Sequence, residues 1–267
     1  MKDIRISGLF IYPVKSLAGI SLQESPLESM GLKYDRRWML VTPDGLFLSQ
    51  RKLPKMALIQ TALDENGILT LSMKGKSDHT VPATTSTSET MPVRIWKDDL
   101  VVQKVGIESD LWLSEALGID CHLVYINDET MRQCDLNYAK KGDRTGFSDG
   151  FPMLLISEAS LNDLNSRLDT PVEMRRFRPN IVVSGCDSFA EDSWKEFTIS
   201  NTEMHGVKLC SRCILTTVDP NTGERTNREP LETLTSYRKM GNKVNFGLNV
   251  IHQRNGTIKV GDRLAGL

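Results

Sequence analysis

Two cysteines, Cys210 and Cys213, stand three apart in the stretch KLCSRCILTTVDP, residues 208–220. A thiol pair at this spacing has three chemical uses. It can be half of a structural zinc site, which takes four ligands and so calls for a second pair. It can be a redox pair at a helix N-terminus, where the dipole favours the first thiolate. Or a single thiolate of the two serves some other partner. The remaining cysteines, Cys121, Cys134 and Cys186, are isolated along the chain. His205 is a candidate third zinc ligand, but it reads equally well as a half-exposed strand residue, and no good fourth ligand is present. The residues after Cys213, Ile-Leu-Thr-Thr-Val, open a helix poorly and suit a strand, which argues against the redox pair. The plainest reading is two buried thiols without chemistry. Arg212 between them weighs against it, because a cation beside a thiol favours thiolate.

Other groups of matching chemistry lie at the ends of expected strands. YPVKS places Lys15 and Ser16 in a turn after a strand, DRRW puts Arg36 and Arg37 at the start of the next, and FRPN puts Arg178 and Asn180 at the entry to another. Taken singly, each basic residue reads as a solvated surface charge. Taken with Arg212, they sit where the mouth of a barrel would be and suit an anion pocket around a thiolate.

The elements that must position these groups are mostly β. IRISGLFIYPV is a strand stopping at Pro13, and RRWMLVTPDGLFLSQR is a hairpin around Pro43-Asp44-Gly45. MALIQTALDENGILTLSM repeats the scheme around Glu65-Asn66-Gly67. The polar stretch from Gly75 to Val93 is expected to be a loop. Leu111, Trp112, Leu113 and Leu117 have near-helical spacing before Gly118, a C-terminal stop, and CHLVYI returns to strand. After a polar region, Asn127 to Asp149, comes PMLLISEASLNDLNSRL, a strand followed by a helix with Ser157 as N-cap. FRPNIVVSG is a further strand, CILTTVDP follows the two cysteines as another, and the C-terminus reads as strand, Asn-Gly turn and strand, with GTIKVGDRL as a closing hairpin edge. The fold class is mainly β with some α (α+β), in two barrel-like units, residues 1–125 and 126–267.

The bulk numbers agree with that class. At roughly 150 residues per domain, 267 residues suggest about two domains. Hydrophobic residues at 39% and charged residues at 25% describe a globular chain with a real core. A net charge of −1 supplies no global field for nucleic acid or anionic membrane, so any anion-binding surface must be local. No apolar stretch approaches the ~20 residues of a transmembrane helix, and the N-terminus lacks the apolar centre of a signal peptide. A cytoplasmic protein with free thiols is expected, in keeping with five irregularly spaced cysteines. No heptad or long apolar surface helix argues for an obligate dimer, so a monomer is expected.

Read together, YPVKS, DRRW, SEASLNDLN, FRPNIVVSG, EDSW, CSRCILTTVDPNTGE, EPLETLTSYR and GTIKVGD resemble the MOSC family, and more closely the mitochondrial amidoxime reducing component and its bacterial relatives. The resemblance covers nearly the whole chain, including the N-terminal β-barrel domain that accompanies the MOSC domain. It implies a molybdenum–pterin (molybdopterin) cofactor between the two domains, with Cys213 as the thiolate ligand of the metal. It implies cofactor contacts from Lys15, Ser16, Arg36, Arg178, Asn180, Ser211 and Arg212, leaves Cys210 as a neighbour, and places Asp149 near the metal as a second catalytic candidate. These roles suit the chemistry. A terminal phosphate wants cations and hydroxyl or backbone donors, the pterin edge suits Asn180, and a soft metal–dithiolene centre suits thiolate. Set against that family, neither a [2Fe–2S] domain after the MOSC segment nor the membrane-anchoring N-terminal segment of the mitochondrial forms is expected.

The activity implied is reduction of small N-hydroxylated compounds (amidoximes, hydroxylamines, N-hydroxylated bases) with electrons from an external flavin reductase or a ferredoxin- or cytochrome-type protein. Two readings of other classes stand beside it: a carrier of the cofactor or of a persulfide on Cys213 that does not turn over, and a zinc-stabilised β-barrel binding protein.

Overall fold

The computed structural model of the chain describes residues 3–81 and 88–267. Among them the fold is mainly β with three α-helices, Ile107–Leu117, Glu158–Asn165 and Leu231–Arg238. A nine-stranded sheet organises the molecule. Its order is Leu264–Ala265, Glu196–Ile199, Thr202–Arg212, Lys243–His252, Met153–Ser157, Ile181–Ser184, Arg5–Ile11 and Ile20–Leu22, with Lys239–Met240 branching from Lys243–His252. Its central strand Met153–Ser157 is buried at every position, as its unbroken apolar run requires. This strand pairs in parallel with Ile181–Ser184, and the helix Glu158–Asn165 makes the crossover between them. Ser157 caps that helix, its hydroxyl accepting from the Ser160 N–H.

A second unit combines the sheet Trp38–Val41, His122–Tyr125, Asp98–Lys104, Thr90–Ile95 with the meander Gln60–Leu63, Leu69–Ser72, His79–Thr80. The first strands of the chain do not join it. Arg5–Ile11 pairs with Ile181–Ser184, and Glu24–Glu28 pairs with Gly256–Lys259. Ile6, Leu9 and Ile11 therefore pack with Leu155, Ile181 and Leu248 in the core of the C-terminal half, so strand pairing crosses the division expected at residue 125.

Several local expectations are corrected. The turn at Pro43-Asp44-Gly45 closes through Leu46 O, but its second arm makes only isolated bridges, Val41 with Phe47 and Leu46 with Arg94. The expected loop from 75 to 93 contains the strand His79–Thr80 and the start of Thr90–Ile95; residues 82–87 lie outside the described residues. On the helix Ile107–Leu117, Leu113 and Leu117 are buried and Leu111 faces solvent. The expected C-terminal hairpin does not form, because Gly256–Lys259 leaves its predecessor to pair with Glu24–Glu28, while Leu264–Ala265 pairs with Glu196–Ile199. The expected strand after Cys213 is a short 3-10 turn, Ile214–Thr217; the strand is the one before it, Thr202–Arg212. The hydroxyls of Thr216 and Thr217 bond back to the carbonyls of Cys213 and Ile214, which holds the chain in a turn against its β-branched preference.

Candidate functional site

Lys15 and Ser16 follow one strand of the main sheet, Arg178 and Asn180 precede its antiparallel neighbour, and Asp149 precedes the next strand, so these loops meet at one end of three adjacent strands. Ser211 and Arg212 end the long strand Thr202–Arg212, and Cys213 follows. All nine residues singled out by the sequence line a single cleft of about 800 Å³, counting its open mouth. Arg37 does not: it is buried away from the cleft, donating to Ile126 O and paired with Asp128.

The cleft is strongly cationic. Its walls carry Lys15, Arg36, Arg51, Arg178 and Arg212 against one carboxylate, Asp149, so five positive charges face one negative in a chain whose total is −1. Tyr12 organises one wall, with the Arg36 and Arg178 guanidinium carbons 4.3 and 4.1 Å from its ring centroid. Arg36 is fixed by Asp35, at 2.7 and 2.6 Å, and by Asn180 Oδ1 at 3.0 Å, and donates through Nη2 to Arg178 O. Arg178 donates to Leu17 O at 2.6 Å, and burial pulls its pKa down to about 10, with Arg36 adding repulsion. Ser16, Arg36 and Arg178 all have positive φ, at 69°, 48° and 56°. Non-glycine residues seldom adopt this region, and such strain, of order 1 kcal/mol or more per residue, gathers at functional sites.

Asn180 is used within the protein. Its Oδ1 accepts from Arg36 and from the Leu154 N–H, and its Nδ2 donates to Phe10 O. The residue is a strut joining three segments of the cleft wall more than a free edge for a ligand.

Lys15 is buried, donating to Phe147 O at 2.8 Å and to Asp149 Oδ1 at 2.6 Å. Burial pulls its pKa down to about 8, against the attraction of Asp149. Burial pushes the Asp149 carboxyl up, but Lys15 and Arg51 outweigh it and hold the group well below the usual carboxylate range, with an added hydrogen bond from Trp96. The Asp149 side chain is 62% exposed, so these ion pairs are partly screened, and the direction is secure on its three donors alone. In this arrangement Asp149 is an anion that anchors two cations of the cleft, Lys15 and Arg51.

The two cysteines have different partners. Cys210 and Arg212 are two apart in a strand and so share a face, and Arg212 Nη1 donates to Cys210 Sγ at 3.0 Å. Cys213 instead receives Arg51 Nε at 3.1 Å. The sequence left open which of the two thiols Arg212 serves; strand alternation turns it to Cys210. Arg51 had no signal in the sequence, since it follows a turn 162 residues away. The same extended geometry separates the two cysteines by about 10 Å between Cα atoms at the usual strand rise, beyond the roughly 7 Å a disulfide spans. Among the described residues no three His, Cys, Asp or Glu side chains converge on a possible metal position, and His205 sits half-buried on its strand 3.9 Å from Glu196.

Two glycines shape the cleft. Phe246 and Gly247 together oppose Cys210, a bulge in the pairing of Thr202–Arg212 with Lys243–His252. Gly247 has φ +86°, and a Cβ there would lie 2.6 Å from Ile156 Cγ1. At Gly146 a Cβ would lie 2.7 Å from Arg36 O, so only glycine lets the 145–150 loop close on Arg36.

Two family models match the chain. Residues 3–120 match the MOSC N-terminal beta barrel domain and residues 142–265 the MOSC domain. The chain is 38% identical over 275 residues to mitochondrial amidoxime-reducing component 1 of Mus musculus, covering 96% of this chain and 80% of that protein. It is 38% identical over 276 residues to the Homo sapiens protein of the same name, covering 96% and 81%. A solved structure, YuaD from Bacillus subtilis, aligns along 99% of this chain and 97% of its own at 12% identity, with a TM-score of 0.41, too remote to bear on function.

Proposed function

The chain belongs to the MOSC family, among the relatives of the amidoxime-reducing components, and on that premise we propose that it is a molybdenum-cofactor-dependent reductase of small N-hydroxylated compounds. The observation that carries the proposal is the Cys213 thiol, held by Arg51 in a cleft where five cations face one carboxylate. The residues fit an anionic pterin with a soft metal. Arg178 Nη2 and Arg212 Nε are buried donors without a partner, a cost of about 1–3 kcal/mol each that an anion beside them would offset.

In this reading Cys213 binds the metal, and Lys15, Ser16, Arg36, Arg178, Ser211 and Arg212 hold the pterin and its phosphate. Asn180 contributes by fixing Arg36. When bound, the cofactor supplies a two-electron centre for removal of the N–OH oxygen. Two electrons and two protons then convert N–OH to N–H and water. The cations offset the cofactor's charge, Asp149 bridges and orients Lys15 and Arg51, and the open mouth admits a small substrate. An external electron donor of flavin, ferredoxin or cytochrome type completes the proposal. All five cysteines are free, which suits a reducing compartment, and no described helix is long and apolar enough to cross a membrane.

The test is Cys213→Ala, with molybdenum content and benzamidoxime reduction measured on protein from a cofactor-competent host. Loss of both is expected, with Cys210→Ala milder. Unchanged activity in Cys213→Ala refutes the assignment, and equal loss from both variants returns the site to a two-thiol function. Steady turnover by the purified protein with a supplied donor separates the enzyme from a carrier.

A further inference from the structure

We propose that Arg51 is the positioning residue of this site: it fixes the Cys213 sulfur and, with Asp149 behind it, sets how readily the metal centre accepts electrons. The proposal rests on the cofactor reading above. Among the described cations of the cleft, Arg51 is the one that hydrogen-bonds Cys213 Sγ, at 3.1 Å. Its second arm is committed as well, with Nη2 on Asp149 Oδ2 at 3.2 Å. The guanidinium carbon lies 4.3 Å from the Trp96 ring centroid. Trp96 is itself held, by Phe47 at 4.9 Å between rings and by the hydrogen bond from its indole to Asp149.

This degree of support is unusual for a cation at a cleft mouth. Arginine at such a site commonly trades partners with solvent, and its charge is then diluted over many positions. Here a ring face, a carboxylate and a sulfur each take one side of a planar group, so the charge is fixed against the sulfur. Trp96 holds φ 57° at the turn between the strands Thr90–Ile95 and Asp98–Lys104, a strained conformation whose yield is the contact with Arg51 and Asp149.

The consequence is electrostatic. A fixed positive charge beside a ligand sulfur favours the state of the centre that carries more electrons. Asp149 opposes that charge and the charge of Lys15 as well, since both cations lean on the same carboxylate. Removing the cation and removing the anion must therefore move the centre in opposite directions. A residue that merely fills space would not produce paired shifts of opposite sign.

The experiment uses the molybdenum-loaded full chain as wild type, Arg51→Gln, Arg51→Lys, Asp149→Asn and the Gln/Asn double variant. Each is titrated potentiometrically with the metal followed by electron paramagnetic resonance, and molybdenum content is measured separately. Arg51→Gln is expected to change the oxidised-to-reduced ratio at a fixed potential by about tenfold toward oxidised, after screening at the cleft mouth. Asp149→Asn is expected to move it toward reduced, Arg51→Lys to move it less than Arg51→Gln, and the double variant to return near wild type. Shifts of the same sign, or none, overturn the inference. If both Arg51 variants lose the metal, Asp149→Asn decides: a shift toward reduced supports the inference, and no shift leaves Arg51 a structural residue and overturns it. A wild-type protein without molybdenum overturns the cofactor reading itself, and this inference with it, whereas a loaded protein with unshifted variants overturns this inference alone.

Discussion

Replacing Lys15 by methionine is expected to stabilise the cofactor-free protein at neutral pH. Lys15 is buried, and its pKa falls from 10.5 in the unfolded chain to about 8 in the fold. That difference corresponds to about 3 kcal/mol at roughly 1.4 kcal/mol per pH unit. The folded state binds this proton only below about pH 8, and the unfolded state binds it up to 10.5. Below pH 8 both states are protonated and the full cost of burying the charge is present. Between 8 and 10.5 the unfolded chain holds more protons, so wild-type stability from this group rises with pH. Methionine keeps most of the volume and removes the charge. It also removes the hydrogen bond to Phe147 O and a partner of Asp149, which returns about 1 kcal/mol. The variant should therefore be about 2 kcal/mol more stable at pH 7, with the difference falling to about zero by pH 10. Urea unfolding of both proteins at pH 7, 8, 9 and 10 reads this directly, since the other titrating groups cancel in the difference. A difference that is constant across this range, or that grows with pH, refutes the reasoning. The same variant should lose the cofactor, because the charge that destabilises the empty site is the one an anion would use.

Two other substitutions probe how the cleft is built. Gly247→Ala forces a Cβ to 2.6 Å from Ile156 Cγ1 and 3.0 Å from Leu155 O at φ +86°, and should cost about 2–4 kcal/mol in urea unfolding; a cost under about 1 kcal/mol would mean that the bulge is not rigid. Asn180→Ala strands the Leu154 N–H, Phe10 O and an Arg36 donor, and should destabilise even the cofactor-free protein by about 2–4 kcal/mol. Unchanged stability of the empty protein, with weaker cofactor retention, would show that Asn180 acts on the ligand alone.

Much of the site was legible in the sequence because its residues mark strand ends. Lys15, Ser16, Arg178 and Asn180 are adjacent to apolar runs, so a β reading places them near a sheet edge before any pairing is known. Ser157 could be recognised as a cap from its position before a helical run, and the structure gives it that bond. The turn after Cys213 was not legible, because its β-branched residues favour a strand and only the hydroxyl bonds of Thr216 and Thr217 settle it otherwise. Arg51 carried no local signal, since its partners Cys213, Asp149 and Trp96 are all distant in the chain.

By itself the sequence determined the β-rich class, the helix stops and caps, and the set of cations and thiols available for chemistry, because these follow from nearest-neighbour preferences and side-chain type. Tertiary structure decided which cation serves which thiol, since strand alternation gave Arg212 to Cys210 and long-range packing brought Arg51 to Cys213. It also decided that the first strands of the chain complete the sheet of the last, and that Asp149 pairs with both Lys15 and Arg51. Pairing across more than a hundred residues and the field of buried charges depend on the whole fold, and no local stretch of residues contains them.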